Sequence, residues 1–159
     1  MAETMRAVLL TVLFAFIMSI QINLDTDKTA TRQMKNAAEL AVHDASLALD
    51  SNRLVEGNIV FDQKKAKQSI QESLKYHLEL DDSLKPLKNS LYQKNITIEH
   101  LEFIDDSNAS FPYKYTNSRY DIVDNLQGPS VIMVISTDSP RYFAGDSIKI
   151  RQASVYEYK

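Results

Sequence analysis

Sixteen consecutive residues, 7–22 (AVLLTVLFAFIMSIQI), carry no charge, and Thr11, Ser19 and Gln21 are their only polar members. As a helix they span about 24 Å, against a bilayer hydrocarbon core about 30 Å thick. Met5 and Leu24 at the flanks narrow that gap, and snorkelling of Arg6 closes the rest. A helix that is apolar on every side belongs in a membrane or deep inside a large protein, and the remaining chain is too small to wrap it. A retained anchor over residues 1–24 is therefore expected, touching membrane lipid through residues 7–22. A cleaved leader would want a small-x-small site, which SIQINLDTDK lacks. A soluble core helix is the third alternative.

Beyond the apolar run, residues 25–56 contain neither Pro nor Gly. Asp25 or Thr26 could cap a new helix, or the first helix could continue. Met34, Ala38, Ala41, Ala45 and Ala48 recur at spacings of four and three, a narrow helical stripe broadened by Ala37, Leu40 and Leu47. Asn36, Glu39, His43, Ser46 and Asp50 mark the opposite face. Alanine lets another backbone approach closely, so the stripe suits packing on a partner helix or on the chain's own sheet. An unbroken helix from Met5 to about Leu49 would be about 65 Å long, longer than a compact domain of this size needs. Part of it must project into a membrane or a partner.

Residues 57–159 read as a small α+β domain. Residues 51–61 suggest a turn at Gly57 with a short strand over 58–61. Asp62 is a good N-cap for a helix whose Ala66, Ile70, Leu74 and Leu78 fall at four-residue spacing. A break at 81–89 leads to a short helix turning Leu84, Leu87 and Leu91 inward. Ile96 and Ile98, then Leu101 and Phe103, alternate with a slip near His100 that points to a bulge. Phe111, Tyr113 and Tyr115 alternate next, and a turn at 116–118 leads to a strand over 120–123. Gly128-Pro129 punctuates before the continuous apolar run 131–135, the expected central strand. Ile148, Ile150, Tyr156 and Tyr158 share one face of the last strand. Helices first and strands last predict an antiparallel sheet with helices on one face.

Composition narrows the function. At 159 residues with 44% hydrophobic and 25% charged, the chain is about one foldable domain. A net charge of −3 gives no basic footprint for a nucleic-acid backbone. The absence of Cys excludes disulfides, thiolate metal sites and a thiol nucleophile. Three Gly are too few and too scattered for a phosphate-cradling loop.

Candidate chemistry is sparse. His43, His77 and His100 have no metal-ligand spacing, and His43, one turn after Glu39, reads as half of a solvent-facing pair. Ser130 after Gly128-Pro129 reads as the start of a strand, and no nucleophile-elbow motif is present. The pairs Asp25/Asp27, Asp81/Asp82 and Asp105/Asp106 lack a calcium loop's spacing and read as turn or cap residues. Tyr113, Tyr115, Tyr120, Tyr142, Tyr156 and Tyr158 offer a contact surface, or fill strands as a β-favouring residue does. No enzyme, cofactor or metal site is expected.

The order of an apolar anchor, a short Asp-containing spacer and the alanine helix RQMKNAAELAVHDASLALD (residues 32–50) resembles the N-terminus of TadE/TadG-like proteins of the tight-adherence pilus. VIMVIS (131–136), Pro140, Gly145 and a last strand ending ASVYEYK are similar to that family's closing hairpin. The chain departs from the family pattern in carrying its nearby acid, Glu3, ahead of the apolar run. The resemblance implies one anchor, a long helix, a small exported domain and a non-enzymatic role in a bacterial surface filament. There the anchor and Met34, Ala38, Ala41, Ala45 and Ala48 would bundle with copies or other pilin-like subunits. The alternative function is a membrane-anchored extracytoplasmic binding or sensory module, with the tyrosines as its contact surface.

Overall fold

The structure, a computed structural model, describes residues 1–143 and 145–159. Helix α1 (Ala2–Ser46) runs unbroken through both N-terminal segments, about 68 Å of helix. It is followed by a one-turn helix α2 (Ser51–Val55), helix α3 (Gln63–Leu78) and five strands: β1 (Thr97–Ile104), β2 (Tyr113–Asn117), β3 (Ile122–Leu126), β4 (Ser130–Asp138) and β5 (Lys149–Glu157). The layout is α+β, with a long apolar N-terminal helix ahead of an antiparallel sheet.

The strands form two sheets: a three-stranded one in the order β1-β4-β5, and the hairpin β2-β3. Strand β4 is central, paired antiparallel to both neighbours. Its side chains divide by parity, as a pleated strand requires. Val131, Met133 and Ile135 enter a core shared with α1 and α3, while Ile132 and Val134 enter a second core under the hairpin. That double coverage explains the continuous apolar run. One face holds the expected helices, and the other is covered by the hairpin.

The slip near His100 is a register shift in β1 between Ile98 and His100. The extra residue restores the inward face: Ile96, Ile98, Leu101 and Phe103 all join the helix-side core although their parity changes. Helix α3 is capped by the Asp62 carboxylate, which accepts from the Lys65 N–H, and Ala66, Ile70, Leu74 and Leu78 are buried.

Several expectations are corrected. Residues 51–55 form helix α2, because the Asp50 carboxylate accepts from the Asn52 and Arg53 N–H groups as an N-cap. Of the strand expected over 58–61, only Phe61 bridges, to Leu49. No helix follows the break at 81–89. The Asp81 carboxylate accepts from the Ser83 and Lys85 N–H groups, Leu84 is left-handed, and Pro86 disfavours helix in the residue before it. Leu84 and Leu91 still pack on the core, whereas Leu87 is exposed. The β2–β3 turn lies at 118–121, with Asp121 at φ 55°. Ile148 is exposed and apart from Ile150, Tyr156 and Tyr158, which do share the core face. Ser46, assigned to the solvent side of α1, is fully buried, its Oγ donating to the His43 carbonyl.

Candidate functional site

Helix α1 has two halves of different chemistry. From residue 2 to residue 29 no residue is buried, and Ala30 is the first that is. Val8, Leu9, Leu10, Val12, Phe14 and Phe16 are each more than 60% exposed, and they point in all directions around the helix. None of the other described residues covers an 18-residue stretch here that is long and apolar enough to cross a membrane. Its hydroxyls are satisfied inside the helix: Thr11 donates to the Ala7 carbonyl (2.9 Å) and Ser19 to that of Ala15 (2.8 Å). Such back-bonding removes the cost of bringing a hydroxyl into hydrocarbon. At the tip, Arg6 pairs with Glu3 at 3.1 Å.

The second half carries the alanine stripe. Met34, Ala38, Ala41 and Ala45 have no exposed surface, being packed in the core with α3 and the sheet. Ala48 lies beyond the helix end and packs against that core from its edge. Of the two partners the stripe could have served, it meets the chain's own α3 and sheet. These residues are packed inside the chain's own fold.

A polar collar holds α1 where the two halves meet. The Tyr92 hydroxyl donates to the Ala30 carbonyl at 2.6 Å in a buried site. Burial raises the Tyr92 pKa far above that of a free phenol. Arg141, from the β4–β5 loop, clasps Asp27 with both terminal nitrogens, one at 3.1 Å. Burial opposes ionisation of Asp27, but hydrogen bonds from Arg141 and Ser139 and the guanidinium charge outweigh it and lower its pKa. The loop is braced in turn. The Arg141 Nε donates to the Asp146 carbonyl, and Gln93 exchanges two hydrogen bonds with the Arg141 backbone.

A second polar cluster ties the hairpin to the sheet. The Glu99 carboxylate, on the bulge, meets Lys149 (2.6 Å), Arg151 (3.0 Å) and the Ser136 hydroxyl (2.5 Å). Lys149 and Ser136, with further help from Arg151, hold its pKa down to about 2 against burial. Beside it the Tyr115 hydroxyl donates to Glu102 (2.7 Å) and lies 3.0 Å from the His100 Nε2. Tyr120 donates to the Glu99 carbonyl, with Arg119 and Arg151 over its ring.

The tyrosines are dispersed. Tyr115 is buried, Tyr120, Tyr156 and Tyr158 are partly buried, and only Tyr113 and Tyr142 are exposed. Of the six, two present exposed rings and four pack at least partly within the fold. The histidines are likewise apart, on α1, α3 and β1. His43 sits edge-on to the Tyr156 ring at 4.9 Å, while Glu39 pairs with Lys35 instead. Among the described residues no group of three or more His, Asp or Glu is placed to hold a metal ion. Asp81 and Asp105 accept from nearby backbone N–H groups as expected of turn residues, whereas Asp106, and Asp105 through its other oxygen, accept from the distant Ile59 and Phe61 N–H groups. An open groove of about 520 Å³ runs between α1 and β5, lined by Glu39, Leu40, His43 and residues 153–156.

No family model, curated protein or solved structure matches this chain.

Proposed function

We propose that the protein is a non-enzymatic structural or assembly component of a bacterial surface pilus or related filament. The first half of α1 anchors it in the membrane or bundles it with copies or other pilin-like subunits, and the α+β domain is carried outside. The division of α1 supports this reading. One half buries its alanine stripe against its own domain, and the other presents apolar side chains around its whole circumference. Exposing so large an apolar surface to water is unfavourable at about 25 cal/mol per Å², so lipid or like helices must cover it.

Protease treatment of intact bacterial cells producing the full chain tests the proposal. Recovery in the membrane or sheared-surface fraction, with digestion of the domain beyond residue 46, is the expected result. A protein recovered in the cytosol and shielded from protease would refute it. The groove beside β5 favours the second reading, a membrane-anchored binding module. A detergent-solubilised monomer that forms no ordered assemblies under the electron microscope would support that reading over the first.

A further inference from the structure

We infer that the loop between β4 and β5 is a second membrane contact, with Tyr142 and Phe143 seated in the lipid headgroup layer beside the anchor. The inference rests on the anchor reading of the first half of α1. Residues 5–24, the uncharged run 7–22 with its flanks including the snorkelling Arg6, make about 30 Å of helix, the thickness of the hydrocarbon core. Asp27 lies three residues further, about 4.5 Å along the axis, within an interfacial layer about 6 Å deep. Arg141 is held to Asp27 by two hydrogen bonds, so the loop that carries it is tethered within one arginine side chain of that level. The loop's neck is closed by the Ser139 N–H donating to the Ile148 carbonyl.

Immediately after Arg141, Tyr142 and Phe143 are 55% and 45% exposed, although both are large and aromatic. Among the described residues about half of each ring is left uncovered, and the neighbouring Arg141 reaches Asp27 just beyond the apolar half of α1. Tyrosine is enriched at this depth because its ring is apolar and its hydroxyl reaches water. Lys28, exposed on the next residue of α1, is placed for headgroup phosphates. The paired Asp27 and Arg141 bring no net charge into the layer. Two contacts, the helix and the loop, would fix the tilt of the domain over the bilayer, which a single helix leaves free.

The chain contains no Trp, so a single introduced Trp reports its own surroundings. Full-length F143W and, separately, Y142W would be reconstituted into phosphatidylcholine vesicles containing lipids brominated near the headgroup end of the acyl chain. F16W, in the apolar run, and Y76W, exposed on α3, are the references. The inference expects blue-shifted emission and loss of most of the intensity for F143W and Y142W, with Y76W unquenched. If F16W is quenched by deeply brominated lipid while F143W and Y142W emit as in water, the loop contact is refuted and the anchor stands. If F16W is itself unquenched, the anchor reading fails and the loop contact falls with it.

Discussion

Asp27 and Arg141, 114 residues apart in sequence, form a two-hydrogen-bond ion pair with only 15% and 13% of their side-chain surfaces exposed. The pair joins the point where α1 leaves its domain to the loop between the last two strands. It therefore sets how far the helix projects. Replacing Arg141 alone leaves a shielded carboxylate without its partner, a larger loss than removing both charges.

Arg141→Leu should destabilise the full chain in detergent by about 1–3 kcal/mol, and Asp27→Leu/Arg141→Leu by less than the two single changes combined. Urea unfolding of the four proteins gives the coupling. Additive single effects would show that the pair contributes no interaction of its own.

Acid sensitivity follows from Glu99. Its pKa is lowered from 4.5 to about 2, so the stabilisation is present above the unfolded value and is lost as pH falls from there toward 2. Glu99→Gln should cost about 1–2 kcal/mol at neutral pH and flatten the stability profile between those limits. The lowered Asp27 contributes in the same direction. A variant whose acid profile overlays that of the natural chain would contradict the assignment.

At the alkaline end the sign reverses. Burial, aided by donation to the charged Glu102, raises the Tyr115 pKa from 10 to about 12, and burial raises Tyr92 further. A phenol whose folded pKa is raised stabilises the fold below its unfolded value and ceases to as pH rises past it. Tyrosinate absorbance should therefore show Tyr92 and Tyr115 ionising late, together with unfolding. Tyr92→Phe should remove one late step and cost about 1 kcal/mol.

The two halves of α1 should respond oppositely to substitution. Ala41→Leu places extra methyl groups where no surface is exposed and should destabilise the domain by about 1–3 kcal/mol. Leu10→Ala, at a residue 63% exposed, should leave domain unfolding unchanged and weaken retention in the membrane fraction. Thermal unfolding and carbonate extraction separate the two effects.

How much of this was legible in the chain depends on the range of the interaction. The apolar run, the alanine stripe, the Asp62 cap, the bulge before His100 and the central strand are signalled within a few residues of themselves. The segment after residue 81 departs from its expected helix because three leucines imitate a helical face, while Asp81 and Pro86 direct the backbone into turns. The reading of the aspartates as turn residues holds for Asp81 and Asp105, which accept from N–H groups within four residues. It fails for Asp106 and Asp27, whose partners Ile59 and Arg141 lie 47 and 114 residues away.

The sequence by itself determined the elements and the imbalance between them: a wholly apolar helical stretch, a second helical half with one small-residue face, and strands of alternating polarity. These are local consequences of side-chain period and backbone preference. Only the tertiary structure decided that the alanine stripe meets the chain's own α3 and sheet, that the hairpin covers the sheet's other face, and that the six tyrosines part company. The placing of Arg141 on Asp27 and Tyr92 on Ala30 is decided there too. Such pairings depend on which surfaces meet after the chain has turned back on itself, and no short window of residues carries that geometry.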